Sequence, residues 1–369
     1  MLKALFILLI LGLLTFNCDK TSTKNKSKNN SVNIIAVGDN LIHNSVLKSG
    51  KTSDSTYNFN RLFDIMKNDF QEADIAIINQ ETILGGSFKP YDGYPNFNSP
   101  NELGDAMIEA GFDVILQASN HTLDIGVQGV VNCIEYWQQQ KDITYLGINE
   151  SQEERDSIKI VERNGIKFAL LNYTYGLNGH RVPKDKSYLV NLIDTALIIK
   201  DLKKAEEIAD FTIVFPHWGV EYVYKPNKHQ KNLARIMTEN GADLIIGTHP
   251  HVLQPIEWIK ADNGNKSLCY YSLGNYTSGQ KATPRVLGGM AKIKITEVND
   301  SVFIENAEII PTITHYEWIN GTSLHQTYKL SDYTEELEKR HSLNYYDSTF
   351  SFNAIQNLAN DIVGEWIKD

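Results

Sequence analysis

The chain has 369 residues, of which 42% are hydrophobic and 22% are charged, and its formal net charge is −10. This balance is typical of a globular protein and excludes disorder of the whole chain. The acidic charge also disfavours a surface for nucleic acid or for an anionic membrane, so no nucleic-acid partner is expected.

The N-terminus has the composition of a secretory signal. Lys3 precedes an unbroken apolar run, Ala4–Phe16, which is shorter than the roughly 20 residues that span a bilayer. Cys18 stands where a bacterial lipoprotein is cleaved and lipidated, although the two residues before it are not the small ones usual there. We therefore predict a signal peptide over residues 1–17 and lipidation at Cys18. The alternatives are an uncleaved anchor and ordinary cleavage.

A polar segment follows the predicted lipidation site. Lys20–Ser31 contains only Lys, Ser, Thr and Asn, which bury no apolar surface, so residues 18–31 are predicted to be a disordered tether. The folded part is expected to start at Val32. Cys133 and Cys269 lie in apolar runs further on and are predicted to be buried and unpaired.

Strand-like and helix-like segments alternate along the folded part, which predicts an α/β fold. Short apolar runs predict strands at Val32–Val37, Ile75–Ile78, Val114–Leu116, Phe168–Leu171, Thr212–Phe215, Leu244–Ile246 and Leu268–Tyr271. Segments of helical period lie at Phe59–Glu72, Asn101–Ala110, Val127–Gln140, Leu192–Ala209 and Lys228–Asn240. The similar phrases Gly111–Leu116 and Gly241–Ile246 predict a repeated helix–turn–strand arrangement rather than a true repeat.

Polar residues of catalytic type follow several of the predicted strands. They are Asp39, Asn79, Glu81, Asn120, His121, His217, His249 and His251. The carboxyl ends of the strands in an open α/β sheet form one rim at which ligands bind, so we expect these residues to converge there. Each residue alone has a plain alternative, which is a structural hydrogen bond for a histidine or a turn for Asp39.

The C-terminal third has a different pattern. Ala291–Thr296 and Val302–Ile310 alternate apolar and polar residues, which predicts antiparallel strands and suggests a second sheet. The last ~40 residues are predicted to form amphipathic helices. They contain no constellation of catalytic type.

The polar residues together have the chemistry of a metal site. Imidazole and carboxylate ligands suit Zn, Mn, Fe or Ni, and two such ions close together can bind a phosphate ester or generate hydroxide. The segment His249-Pro250-His251 places two imidazoles two residues apart.

Six motifs in fixed order resemble those of the CapA/PgsA family of poly-γ-glutamate capsule biosynthesis proteins. They are Val37–Asp39, Asn79–Glu81, Ser119–Gly126, His217–Tyr222, Gly247–Val252 and Tyr271–Tyr276. The resemblance implies a four-layer αββα sandwich of the calcineurin-like metallophosphatase type. We assign this domain to residues 32–330 and a helical extension to residues 331–369.

The resemblance also implies roles for single residues. The metal ligands would be Asp39, Asn120, His217, His249 and His251, with Glu81 at the place of a bridging aspartate. His121 would protonate the leaving group or contact the substrate, and Asp124 would orient its imidazole. Alternatively, Asp124 caps the next helix, and Glu221 is either a surface charge or a partner of the ligands. Asn79 and Asn275 are candidates for contacts to the substrate or to the ligands.

One ligand of ordinary metallophosphatases is missing from this sequence. They have a histidine two residues after the first aspartate, and Leu41 stands at that position here. His43 is therefore a candidate replacement ligand or substrate contact, and a structural role is its alternative. Four aromatic residues are candidates for a rim around the site, with core packing as the default: Trp218, Tyr173, Tyr175 and Tyr276.

Two functions of different classes fit these observations. The first is an extracytoplasmic, membrane-tethered hydrolase that uses two divalent ions (Mn, Fe or Zn) on a phosphoester or an envelope polymer. The second is a non-catalytic accessory protein that binds or exports an anionic polymer, with a membrane synthase as partner. His121 favours the first, because a site that only binds has no need of a proton donor.

Overall fold

Two β-sheets form the centre of the molecule, as seen in a computed structural model that describes residues 30–54 and 56–368. The predicted signal peptide, Cys18 and nearly all of the predicted tether lie outside the described residues. The strands are β1 (Asn30–Asn40), β2 (Ile75–Gln80), β3 (Val114–Leu116), β4 (Thr144–Leu146), β5 (Lys159–Arg163), β6 (Ile166–Thr174), β7 (Phe211–His217), β8 (Leu244–Ile246), β9 (Ile256–Lys260), β10 (Lys266–Tyr270), β11 (Asn275–Thr277), β12 (Leu287–Val298), β13 (Ser301–Ile319) and β14 (Thr322–Lys329).

Ten α-helices connect or cover the strands in the described part of the chain. They are α1 (Asn44–Ser49), α2 (Lys67–Glu72), α3 (Glu102–Ala110), α4 (Val127–Gln138), α5 (Gln152–Asp156), α6 (Thr195–Ile208), α7 (Lys228–Glu239), α8 (Thr283–Val286), α9 (Glu335–Arg340) and α10 (Phe352–Val363). Short 3-10 helices lie at Asn60–Leu62, Lys184–Lys186, Leu330–Asp332, Ser342–Tyr345 and Gly364–Trp366. The predicted helix Phe59–Glu72 is thus two short helical segments separated by a turn, which still bury Leu62, Phe63 and Phe70.

The two sheets have different strand orders. The larger has eight strands in the order β14-β13-β12-β1-β2-β3-β4, with β11 also paired to β1. The smaller has six strands in the order β5-β6-β7-β8-β10-β9. The pairs β1–β2, β2–β3, β6–β7 and β7–β8 are all parallel, so the carboxyl ends of these strands lie at one edge of each sheet.

The sheets pack face to face and helices cover both outer faces. In β1, Ile34 and Ala36 lie in the core between the sheets, whereas Ile35 and Val37 pack among residues of α1–α4. In β7, Ile213 likewise faces the core between the sheets, and its neighbour Val214 packs with α6 and α7. This alternation is expected of strands buried on both faces. The predicted four-layer α/β sandwich is confirmed.

The C-terminal strands extend the larger sheet, and the suggestion that they start a second sheet was wrong. β12 pairs antiparallel with β1 from Asn30↔Glu297 to Val37↔Met290, and β13 pairs with β12. The smaller sheet is instead built from β5–β10. The alternating pattern predicts an antiparallel strand, but it does not identify the strand with which it pairs.

The last 40 residues pack on the same core as the sheets. Ile355 and Ala359 of α10 and Leu337 of α9 are buried together with Ile309 and Ile313 of β13. The predicted amphipathic helices are therefore present. Cys133 and Cys269 are buried and free, as predicted. In the described part of the chain, no helix has the length and apolar character needed to cross a membrane.

An aspartate just before each of four parallel strands fixes the register with the neighbouring strand. Its Oδ2 accepts a hydrogen bond of 2.7 to 2.8 Å from a backbone N–H of that neighbour, and its own N–H donates to the carbonyl of the same residue. The pairs are Asp74–Asn33, Asp113–Ala76, Asp210–Lys167 and Asp243–Thr212. Two of these aspartates, Asp113 and Asp243, belong to the similar phrases in the sequence.

Candidate metal centre

The predicted ligands come from both sheets. Asp39 is near the carboxyl end of β1, Glu81 directly follows β2 and Asn120 follows β3, so the larger sheet supplies these three. The smaller sheet supplies three histidines, of which His217 ends β7 while His249 and His251 follow β8. All six side chains are almost completely buried. The site therefore lies where the carboxyl edges of the two sheets meet.

Glu81 lies at the centre of the site. Ligand-type atoms of Glu81, His249 and His251 all lie within 4.8 Å of one another, which is close enough to share one metal ion. Glu81 Oε1 is 3.6 Å from His251 Nε2 and 3.7 Å from His217 Nε2. The same carboxylate oxygen is thus close to two imidazoles.

The remaining predicted ligands flank this centre. His251 Nδ1 lies 3.0 Å from Asp39 Oδ2, and His217 Nε2 lies 2.8 Å from Asn120 Oδ1. His217 Nδ1 is 3.0 Å from the Thr248 hydroxyl, which leaves Nε2 directed toward the cluster. The structure therefore brings all six residues together. Their role as ligands remains a prediction.

Several buried polar atoms of the site have no hydrogen-bond partner among the described residues. They include both carboxylate oxygens of Glu81 and Nδ1 of His249. A buried carboxylate without partners is costly, and such groups are normally paired with a cation or protonated. Buried carboxylate and imidazole atoms that face one another fit a divalent transition-metal ion.

The pKa values of the cluster are shifted mainly by burial. Burial raises the pKa of Glu81 well above its usual range and lowers the pKa values of His217 and His249 well below theirs. Burial also acts to lower the pKa of His251, but the carboxylates of Glu81 and Asp39 outweigh it and raise that pKa to about 9. A divalent cation would stabilise the ionised carboxylates and the neutral imidazoles together.

His121 and Asp124 form a hydrogen-bonded pair beside the cluster. His121 Nδ1 lies 2.8 Å from Asp124 Oδ2, which also accepts a hydrogen bond from Phe97 N at 2.8 Å. The Phe97 ring contacts the imidazole edge-on, with centroids 4.6 Å apart. Gly126 is the N-cap of α4 and no side chain caps that helix, so Asp124 does not act as its cap.

The other predicted residues occupy the surroundings of the ligands. Asn79 Nδ2 donates to Asp39 Oδ1 at 2.8 Å, and Asn275 Oδ1 lies 3.1 Å from His251 Nδ1. His43 Nδ1 accepts from Gly279 N at 3.2 Å and, within the described residues, His43 has no hydrogen bond to any of the six predicted ligands. Glu221 is exposed.

Three non-glycine residues at the site have left-handed backbone conformations. The φ angles are +95° at His249, +57° at His251 and +66° at Tyr222. Such angles are unfavourable for residues with bulky side chains, and they persist where the surrounding structure holds them. At His249 and His251 these backbone conformations produce a sharp turn, and this turn directs both imidazoles into the cluster.

Of the four aromatic residues predicted as candidates for a rim around the site, one is exposed beside the cluster and three are buried. Trp218, Tyr173 and Tyr276 are buried in the core, whereas Tyr175 is 45% exposed with its ring centroid 4.6 Å from that of His249. Asn178 was missed.

Asn178 contacts both neighbouring motif residues. Its Oδ1 accepts from Asn120 Nδ2 at 3.2 Å, and its Nδ2 lies 3.3 Å from His121 Nδ1. The only signal for Asn178 in the sequence is the turn-forming Asn178-Gly179 pair. Tyr222 was also missed as a site residue, although it ends one of the family motifs.

Comparisons with known proteins identify the family of the chain. The family model described as "Bacterial capsule synthesis protein PGA_cap" matches residues 33–280. The "PGA biosynthesis protein CapA" of Bacillus subtilis (strain 168) is 33% identical over 195 residues, which cover 53% of this chain and 50% of that protein. The "Capsule biosynthesis protein CapA" of Bacillus anthracis is 30% identical over 198 residues, covering 53% of this chain and 47% of that protein.

The matched segment spans about half the length of each of these relatives. Among solved structures, the calcineurin-like phosphoesterase YfkN from Bacillus subtilis covers 77% of this chain and 90% of its own, with 14% identity and a TM-score of 0.44. The family model matches well over half of the chain, and its range contains the positions of all six predicted ligands. The chain belongs to the bacterial capsule synthesis protein PGA_cap family.

Proposed function

We propose that the protein is a metal-dependent hydrolase that acts outside the cytoplasm on a phosphoester or related bond during synthesis of an anionic envelope polymer such as poly-γ-glutamate. The observation that supports this most strongly is the buried carboxylate of Glu81, which faces three histidines without a hydrogen-bond partner among the described residues. A structural role for such a group would be costly without a cation.

Two divalent ions of Mn, Fe or Zn would be held by six side chains. Asp39 and His251 would hold one, Asn120 and His217 the other, and His249 would complete the set. Glu81, which is close to both His251 and His217, would also contribute its carboxylate. Bound divalent ions polarise a phosphoryl oxygen and lower the pKa of bound water, so that hydroxide becomes available near neutral pH.

His121 would supply a proton to the leaving group. The hydrogen bond that His121 Nδ1 donates to Asp124 Oδ2 fixes the ring orientation and directs Nε2 away from Asp124. Asn178 contacts both Asn120 and His121, so it would keep the proton donor in place next to a ligand. The side chains of His121 and Asp124 are both buried. Burial limits the access of bulk water, which would otherwise compete with His121 as the proton donor.

The proposed location is the outer face of a bacterial membrane, with the chain anchored through Cys18. The apolar run before Cys18 and the names of the two capsule-related proteins from Bacillus support this location. The proposed partners are an anionic polymer or phosphoester substrate and a membrane synthase. Cys18→Ala should move the protein from the membrane fraction to the soluble one. A variant that stays in the membrane would instead indicate an uncleaved anchor.

The function is tested by metal analysis and hydrolysis assays on the purified full-length chain. His249→Ala should lose bound metal and phosphodiesterase activity together, because it removes one nitrogen of the cluster. The matched control is His229→Ala, which removes an exposed histidine of α7. Native protein that binds metal, hydrolyses nothing and still needs His249 for capsule retention would contradict the hydrolase and support the accessory binding role.

A further inference from the structure

A stacked pair of side chains lies beside the metal-type cluster. The guanidinium carbon of Arg285 is 3.6 Å from the centre of the Tyr222 ring. The Tyr222 ring is in turn tilted against His251, with centroids 6.1 Å apart. The order from the cluster outward is therefore His251, Tyr222 and Arg285.

Hydrogen bonds tie this pair to the site. The Oδ1 atom of Asn275 contacts His251 Nδ1. The Nδ2 atom of Asn275 donates to the carbonyl of Arg285 at 2.9 Å and to Gln280 Oε1 at 3.2 Å. Gln280 Nε2 donates to the Tyr222 hydroxyl at 3.3 Å. One amide thus connects a predicted ligand to the backbone of the arginine, so the two positions are fixed relative to each other.

The guanidinium of Arg285 has no charged partner in the part of the chain that the structure describes. Among residues 30–54 and 56–368 it pairs with no carboxylate and donates no side-chain hydrogen bond, and its contact is the face of Tyr222. Stacking occupies the face of the guanidinium and uses none of the N–H donors on its edge. That edge matches the two oxygens of a carboxylate or phosphate in a bidentate pair.

The backbone of Tyr222 is strained in a way that serves this arrangement. Its φ of +66° is uncommon for an aromatic residue, and the hydrogen bond from Tyr222 N to Pro250 O at 2.8 Å holds it there. Pro250 lies between the two clustered histidines. The turn that aims these imidazoles therefore also sets the ring on which Arg285 rests.

We infer that Arg285 and Tyr222 form a subsite for a second anionic group of the substrate, next to the bond that is cleaved. This inference rests on the proposed function and adds how the anionic chain is held: one oxyanion reaches the metal centre and the next reaches Arg285. The shared chemistry is an oxyanion, either a carboxylate of an acidic polymer or a phosphate of a phosphorylated one.

The test measures binding of three probes to the manganese-loaded full-length chain by calorimetry. The probes are a hexamer of γ-linked glutamate, an oligomer of glycerol phosphate and inorganic phosphate. Arg285→Gln should bind the oligomer of the natural type about 10-fold or more weakly, because a charged bidentate contact is lost. It should leave manganese content and inorganic phosphate binding unchanged. Weaker binding of the glutamate hexamer assigns carboxylates, and weaker binding of the glycerol phosphate oligomer assigns phosphates.

Two further variants separate the subsite from a structural role. Arg285→Lys keeps the charge without the planar fork and should restore part of the affinity, whereas the control Arg235→Gln on α7 should bind like the native protein. Arg285→Gln that binds both oligomers as tightly as the native chain, or that loses manganese, would overturn the subsite. So would a native chain that binds neither oligomer. If no hydrolysis occurs, the proposed hydrolase fails, but the same titrations still decide the subsite.

Discussion

The imidazole of His121 is held by Asp124 through a 2.8 Å contact between Nδ1 and Oδ2, and neither residue is among the six predicted ligands. A hydrogen bond from Phe97 N to Asp124 Oδ2 connects the pair to the loop before α3. The proposed metal binding and the proposed proton donation therefore involve different side chains, and they can be tested separately.

We predict that His121→Ala keeps its metal and loses turnover. Removal of a positioned general acid should lower the turnover of a phosphodiester substrate about 10²–10⁴-fold. Asp124→Asn should lower it less, because the ring stays but its orientation is weakened. Metal content is measured alongside. His121→Ala with full activity on the true substrate would contradict its role as the acid, and a loss of metal would make it a ligand.

Glu81→Gln should change stability in opposite directions with and without metal. In chelator-treated protein, the free energy of unfolding of the variant should be about 1–3 kcal/mol higher than that of the native protein. The reason is that a buried carboxylate without partners is replaced by a neutral amide. Added manganese should stabilise the native protein but not the variant. Urea unfolding with and without manganese measures both effects. The exposed-site control is Glu207→Gln, and a native protein indifferent to manganese would contradict the metal centre.

Stability should fall as the pH rises from about 4 to about 7 because of Asp243. Burial raises the pKa of Asp243 to about 7, against the opposing hydrogen bond from Thr212 N. The folded state thus keeps a proton that the unfolded chain has already lost, so the free energy of unfolding decreases between about pH 4 and about pH 7. Asp243→Asn removes this titration.

Relative to the native protein, Asp243→Asn should gain about 1–3 kcal/mol between pH 5 and pH 8. Urea unfolding at several pH values measures this difference. Asp210→Asn is the matched control, since Asp210 makes the same contact at an exposed position. Parallel pH profiles for the native protein and Asp243→Asn would show that the carboxyl does not titrate in this range.

Gly38→Ala should damage both folding and the site. A Cβ at Gly38 would lie 1.9 Å from the carbonyl oxygen of Gly274, which accepts the hydrogen bond of Asp39 N at 2.9 Å. The backbone must shift there, so we expect a loss of about 1–3 kcal/mol in unfolding free energy and reduced metal content. Gly176→Ala, where a Cβ meets open space, should be tolerated. Equal stability of the two variants would contradict the close approach.

The meeting of the predicted ligands could be foreseen because parallel strands share a carboxyl edge. His217 and Glu81 belong to different sheets, however, and nothing in the local sequence assigns a strand to one sheet or the other. For the same reason β12 was placed wrongly, since its partner β1 lies more than 250 residues earlier in the chain. Strand pairing of this kind is decided by tertiary packing.

The surroundings of the ligands were harder to predict. Asn178 and Tyr222 contact the site because their loops turn back on it, and Tyr222 does so with a backbone conformation that its side chain disfavours. Propensity and periodicity give no indication of such positions. Asp124 was named with two alternatives, and only the folded chain shows that it contacts His121 and does not cap α4.

The aspartates at the amino ends of the parallel strands have a consequence at the opposite ends. Parallel strands have no hairpin to align them, and a slip by one residue turns every side chain to the other face. Asp74 is hydrogen-bonded to both the N–H and the carbonyl of Asn33, and Asp243 is bonded in the same way to Thr212. Neither strand is therefore free to slide along its neighbour. A register shift of one residue at these aspartates would move Glu81 or His249 out of the cluster. Replacing such an aspartate by alanine, which cannot accept the hydrogen bond, should thus disturb the geometry of a site several residues away.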